Sequence, residues 1–251
     1  MAQFTISIAG HSFGVESLFE STRDYCRNYL TREPEECAVS VSPEDLAFEQ
    51  RELDEEAARE GIKRRKFTDP FLERAAIQRA VAEHLLGWDT LLLHGSAVAV
   101  DGIGYLFMAR CGTGKSTHTR MWREVFGDRA VMVNDDKPFV RLAPEGAMVY
   151  GAPWSGKHGL DTNVAVPLGG ICLLERGAEN RIRKITGQEA LPMLQQGGCP
   201  PRAAAMGEKY EALLSALADM GLFWKMECTP QGEAAILSHS AMCSGGQKEE
   251  I

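Results

Sequence analysis

The sequence predicts an α/β protein of the α+β kind, with an N-terminal part over residues 1–88, a phosphate-loop domain over 89–243 and a tail over 244–251. Three observations predict it. The run Gly112-Thr113-Gly114-Lys115-Ser116-Thr117 follows an apolar stretch and opens a helical one. After Gly87 short β-forming segments alternate with helical ones. The first 88 residues mix strand-like alternation with helical runs rich in charge.

Residues 4–9 alternate apolar and polar side chains and predict a strand. Residues 16–31 predict a helix with Leu18, Phe19, Tyr25 and Tyr29 on one face, and 38–41 a further strand. Ser42-Pro43-Glu44-Asp45 is a helix start, with Ser42 as cap, Pro43 in the first turn and acids near the positive end of the dipole. That helix runs to about Gly61. Asp69-Pro70 opens another to Leu86, with Leu72, Ala76, Ala80, Ala82 and Leu85 as buried positions. Residues 90–100 and 104–108 make a hairpin around Asp101-Gly102 that feeds the glycine-rich loop. A helix over 116–126 ends at Gly127-Asp128, and the apolar strand 130–133 runs into Asn134-Asp135-Asp136. Strands follow near 139–142, 148–151, 164–174 and 222–227, with helices over 187–195, 207–220 and 230–241. The polar tail from Ser244 is expected to fray.

Hydrophobic residues make up 44% and charged residues 25%, the balance of a globular chain able to bury a core. A net charge of -8 argues against a nucleic acid or an anionic membrane as partner. The one basic run, Lys63-Arg64-Arg65-Lys66, reads as a solvated helix end. Seven cysteines, an odd number without a CxxC pair, form neither a disulfide framework nor a zinc site, and a reducing cytoplasm suits them. The first ten residues lack the basic region of a signal peptide, and no run of 18 apolar residues offers a membrane span. A homo-oligomer is left open.

The loop carries the chemistry. Its glycines let the backbone curl so that several N–H groups of Arg110, Cys111, Gly112, Thr113, Gly114, Lys115, Ser116 and Thr117 point into one concavity. The helix N-terminus behind them adds unpaired donors and partial positive charge. Lys115 is expected on the β- and γ-phosphates, and the Ser116 hydroxyl on magnesium. The full motif has a glycine where this chain has Ala109, which a negative φ would tolerate. A helix of about 11 residues rises roughly 16 Å, and a strand of about five returns over the same distance. Asp135 and Asp136 should therefore land beside Lys115 and Ser116, one carboxylate to hold magnesium and the other to take a hydroxyl proton. The cofactors expected are ATP and Mg2+; no Asn-Lys-x-Asp motif selects GTP.

From His94 to Asp136 the sequence resembles the C-terminal catalytic domain of the bacterial HPr kinase/phosphorylase family. The shared pattern is His94-Gly95, the Asp101-Gly102 hairpin with Gly104 and Leu106, Gly112-Thr113-Gly114-Lys115-Ser116, and Val133-Asn134-Asp135-Asp136. The resemblance implies a phosphate loop on a mixed β-sheet, as in phosphoenolpyruvate carboxykinases, and the hairpin entering the loop agrees with that. It also implies Asp135 as the base for a serine hydroxyl, Asp136 and Ser116 as magnesium contacts, and His94 as the active-site histidine. The chain departs from that family over residues 1–88. It also lacks the family's glycine-rich, glutamate-bearing stretch after the acidic pair, which argues against HPr itself as the substrate.

In place of that stretch stands Gly151-Ala152-Pro153-Trp154-Ser155-Gly156-Lys157-His158-Gly159. Trp154, Lys157 and His158 there either hold an acceptor or the γ-phosphate, with Asp161 and Asn163 on the same lip, or form a structural turn with Trp154 packed on the core. Arg176 either reaches phosphate or lies in a surface turn. Cys111 reads as a spacer, His118 as facing solvent, and His11, His84 and His239 show no ligand pattern. The function expected is an ATP- and magnesium-dependent kinase acting on a hydroxyl of a protein or a small molecule. A nucleotide-dependent regulatory module with slow hydrolysis, and carboxykinase-like phosphoryl transfer, are the alternatives.

Overall fold

The computed structural model describes residues 1–59 and 61–244; of the tail expected over 244–251, all but Ser244 lies outside the described residues. The chain opens with a hairpin of β1 (Ala2–Ile8) and β2 (His11–Ser17), turned at Ala9 and Gly10, whose φ angles are 51° and 80°. Two successive positive φ values are what a tight two-residue hairpin requires. β3 (Cys37–Ser40) adds in parallel beside β2.

The helix expected over 16–31 is therefore corrected: residues to Ser17 belong to β2. Only α1 (Glu20–Tyr25) and one 3-10 turn at Arg27–Tyr29 are helical. Phe13, Val15 and Ser17 alternate into the core, and this period of two outweighs the helix-compatible residues that follow.

α2 (Pro43–Arg59) begins at a reciprocal cap, with the Asp45 N–H donating to Ser42 Oγ at 3.3 Å and Ser42 N–H to the Asp45 carboxylate at 2.9 Å. α3 (Asp69–Leu86) starts after Thr68 with Pro70 in its first turn. Its residues Leu72, Ala76, Ile77, Val81, Ala82 and Leu85 join a core with Phe13 and Val15 on one side and Leu92, Phe139 and Trp154 on the other. α3 is thus shared between the small sheet and the large one.

The large sheet has nine strands: β4 (Thr90–Leu92), β5 (Ser96–Val100), β6 (Ile103–Met108), β7 (Ala130–Asn134), β8 (Phe139–Ala143), β9 (Gly146–Tyr150), β10 (Ala165–Arg176), β11 (Arg181–Lys184) and β12 (Phe223–Cys228). Their order is β4-β8-β9-β10-β6-β5-β7, with β12 and then β11 branching from β10. β10 makes the branch possible. Its start pairs antiparallel with β9, its end parallel with β12, and its other edge parallel with β6. The result is a curled, mixed sheet, as expected from the sequence. β11 was not expected, because Arg181-Ile182-Arg183-Lys184 offers a single apolar residue as signal.

The β5–β6 hairpin turns at Asp101 (φ 52°) and Gly102 (φ 81°), as expected. β5 is antiparallel to β6 and to β7, so β6 and β7 run the same way and end at the same edge. α4 (Lys115–Phe126) and α7 (Gly232–Ser244) cover one face around the fully buried Trp122. α5 (Gly187–Gly197) and α6 (Gly207–Asp219) cover the other, with Leu194, Leu214 and Leu217 in the core. No described helix is long and apolar enough to cross a membrane.

His118 is another correction: it is 1% exposed, not solvent-facing. Just under one turn of helix carries it under α7, where its Nε2 accepts from Trp122 Nε1 at 3.2 Å and its ring lies 4.5 Å from that of Phe107. Burial pulls its pKa down from 6.5 to about 4. A base depressed in the fold stabilises it only above the unfolded pKa, and that contribution is lost as pH falls toward the folded value. Wild type should lose roughly 2 kcal/mol at this site between pH 7.5 and pH 5. Urea titrations of wild type and His118→Gln at both pH values check this, since the variant should lack that part of the slope.

Candidate functional site

β6 delivers the chain into the loop, and α4 leaves it. Gly112 and Gly114 hold φ angles of 73° and 122°, which L side chains rarely adopt, so both glycines are required by backbone conformation. Ala109 is not among the residues with positive φ, and so a side chain is tolerated where the full motif has glycine. Gly114 has no side chain with which to cap α4, so the N–H groups of Ser116 and Thr117 in its first turn gain no cap from that residue and suit an anionic ligand. Lys115 Nζ donates to the Ala109 carbonyl at 3.1 Å, across the mouth of the loop. From the end of β10, Arg176 Nη2 donates to the Gly112 carbonyl at 2.5 Å. Arg176 therefore belongs to the loop and not to a plain surface turn.

β7 brings the acidic pair to the same edge. Asn134 is fully buried and works as a bracket. Its Oδ1 accepts from the N–H groups of Asp136 at 2.8 Å and Lys137 at 2.7 Å, and its Nδ2 donates to the Ala152 carbonyl at 2.7 Å. The two carboxylates then part. Asp135 is 8% exposed and accepts from Ser96 Oγ at 2.6 Å, and Ser96 in turn meets Thr119 Oγ1 of α4 at 2.8 Å. Asp136 faces outward, its side chain 35% exposed, with Oδ1 at 3.3 Å from His94 Nε2.

That contact is not an ion pair at neutral pH. Burial, with Lys137 and Lys115 adding repulsion, pulls the His94 pKa down to about 2, so the ring is neutral. Burial raises the Asp136 pKa while Lys137 and Lys115 pull it back.

The loop after β9 divides in two. Gly156, with φ of 68°, lies so close to Asp136 that an added Cβ would sit 3.2 Å from the Asp136 Cβ. Lys157 and His158 follow on a single exposed 3-10 turn beside the acidic pair. Trp154 does not join them. It is 5% exposed, its indole N–H donates to the Arg74 carbonyl at 2.8 Å, and its ring packs edge-on to Phe139. Trp154 as a substrate contact is therefore corrected to the structural alternative. Asp161 is held by Tyr29 at 2.9 Å and Ser155 at 2.5 Å and braces the loop, and Asn163 donates to the Asn28 carbonyl.

Two cavities meet at the loop. One of about 710 Å³ is walled by Arg110, Thr113 and Arg176, by the ion pairs Arg183–Glu189 and Lys225–Glu175, and by the apolar Leu173, Ile185 and Met193. The other, of about 480 Å³, opens on the far side of the loop onto His94, Cys111, Asp136 and Lys137. The N–H groups at the start of α4, two glycines in the left-handed region and the Lys115 and Arg176 cations fit a nucleotide triphosphate tail. Among the described residues no group of three or more His, Cys, Asp or Glu could hold a metal alone. Magnesium fits such a site, because it is commonly held by one or two carboxylates together with substrate phosphates and water. Ser116, Asp135 and Asp136 are the donors at hand.

Ser96 and Thr119 were missed from sequence. Their only signal was register: Ser96 opens the strand beside Asn134, and Thr119 lies one turn after Lys115.

No protein-family profile matches the chain, and no curated protein matches it. Among solved structures it is similar to the Hpr(Ser) kinase/phosphatase from Coxiella burnetii. The likeness is 10% identity over 62% of this chain and 99% of that one, with a TM-score of 0.36. At that level it identifies no residue and no activity.

Core placement of Trp154 has a measurable consequence. Trp154→Ala should cost roughly 3–5 kcal/mol, and Trp154→Phe, which keeps most packing and loses one hydrogen bond to a carbonyl that also accepts within α3, about 0.5–1.5 kcal/mol. Urea unfolding checks both; a change under about 0.5 kcal/mol in the alanine variant would mark a surface residue.

Proposed function

We propose that this protein is an ATP- and magnesium-dependent phosphotransferase that moves a γ-phosphoryl group to a hydroxyl. The observation that carries the reading is the opposition of a glycine-curled helix start bearing Lys115 to a bracketed carboxylate pair at the same sheet edge. A site for binding alone would have no need of a second carboxylate turned away from the first.

Bound MgATP supplies the phosphoryl group and the charge neutralisation its transfer needs. The amides at the start of α4 and Lys115 would orient the phosphates. Ser116 and Asp135 would face the magnesium. Asp135 is tied to α4 through Ser96 and Thr119, so its carboxylate is fixed relative to Ser116. Asp136 is the better candidate for the base. It fronts the second cavity beside the neutral His94, where a hydroxyl can approach from the side opposite the phosphate tail. This reverses the division expected from the family resemblance, which gave the base to Asp135. Arg176 and Lys157 would add positive charge around the transferring group, and His158 a ring nitrogen for hydrogen bonding.

Asp136→Asn should retain MgATP binding and lose transfer by roughly 10²–10⁴-fold. Asp135→Asn should instead raise the magnesium concentration needed for nucleotide binding. Calorimetry and single-turnover transfer of labelled phosphate separate the two; full transfer in Asp136→Asn would remove the base from that residue.

A further inference from the structure

The second cavity is built largely by the N-terminal helices. Glu49, Glu52 and Glu56 recur at helical spacing, so one stripe of α2 faces it. α3 contributes Gln78 and Arg79. The sheet edge with His94 and Asp136 closes the floor.

The charges on these walls are unequal in their commitments. Arg79 is spent on Glu49, with Nε to Oε1 at 2.5 Å and Nη2 to Oε2 at 3.2 Å, and it stands 3.9 Å from Glu52. Glu56 forms no ion pair among the described residues, while Arg59 of the same helix and Lys137 of the floor also line the cavity. On the α3 wall the Gln78 amide nitrogen is buried without a hydrogen-bond partner. Buried donors are satisfied as a rule, so an orphan on a cavity wall marks a place where a ligand atom or a water completes the structure. A volume of about 480 Å³ lies in the range of small-molecule sites.

We propose that this cavity is the acceptor site, and that the acceptor is a small hydroxyl compound carrying a protonated amine. This rests on the phosphotransfer reading above. Glu52 and Glu56 hold the ammonium, the Gln78 amide donates to an oxygen of the same molecule, and the hydroxyl reaches Asp136. The acceptor oxygen bonds to the γ-phosphorus as the bond from that phosphorus to the bridging oxygen breaks. ADP leaves with the electron pair, and the hydroxyl proton passes to the Asp136 carboxylate. The N-terminal helices thereby select the substrate that the loop domain phosphorylates.

The test incubates the full chain and MgATP with amine-bearing probes (L-serine, L-homoserine, ethanolamine) and with neutral or acidic ones (glycerol, glycerate). ADP release and the phosphate ester signal by phosphorus NMR are the readouts. The amine-bearing set should be phosphorylated and the other set not. Glu56→Gln should raise the KM for the amine about tenfold or more, the loss of one charge-assisted contact, and leave the affinity for MgATP unchanged. Gln78→Leu should also raise that KM without lowering Tm, because its amide has no partner in the free protein. Transfer only to the neutral or acidic probes, transfer only to a protein, no ester from any probe despite MgATP binding, or an unchanged KM in Glu56→Gln would each overturn the acceptor assignment while sparing the nucleotide site. Absence of MgATP binding in wild type would overturn both.

Discussion

β5 lies between β6 and β7 and is antiparallel to each, and the candidate site depends on that pairing. Because two antiparallel steps restore direction, the strand that enters the glycine-rich loop and the strand that ends in the acidic pair leave the sheet at one edge. β10, parallel to β6 on its other side, brings Arg176 to the same edge. Had β6 and β7 run in opposite senses, Lys115 and the aspartates would stand a strand length apart. The hairpin turn at Asp101-Gly102 is what makes the arrangement local: it spaces β5 and β6 by two residues and fixes their register.

Within that frame the polar side chains are held by buried partners. Asn134 fixes the backbone of the next three residues and ties it to the following loop at Ala152. Ser96 and Thr119 connect Asp135 to α4. Such links hold the Asp135 carboxylate in a protected position, fixed relative to the start of α4. Asp136 has fewer ties and more solvent, and it borders the cavity that α2 and α3 enclose. Both residues lie in the bend after β7 that Asn134 brackets, and there Asp135 turns to Ser96 and Asp136 to His94.

Much of this was legible in the sequence. The loop, its helix and the β5–β6 hairpin announced themselves through glycine placement and the Asp101-Gly102 turn, and α2 and α3 through their caps and proline positions. The β1–β2 hairpin was not, because Ala9-Gly10 is a weak turn signal and the polar run after Ser17 favours a helix. Trp154 and His118 were ambiguous for one reason: both are amphipathic rings whose position depends on a distant helix, α3 for Trp154 and α7 for His118. The partners of Asp135 depend on pairing between β5 and β7, which no local pattern reports. The second cavity likewise joins residues some 80 positions apart, Glu56 and Asp136.

The most direct measurement is calorimetric titration of wild type and Lys115→Ala with ATP, in the presence and absence of magnesium. Saturable, magnesium-dependent ATP binding by wild type, with the dependence on the terminal phosphates lost in the variant, is the result this account predicts. Equal binding by both proteins, or none by wild type, would contradict it.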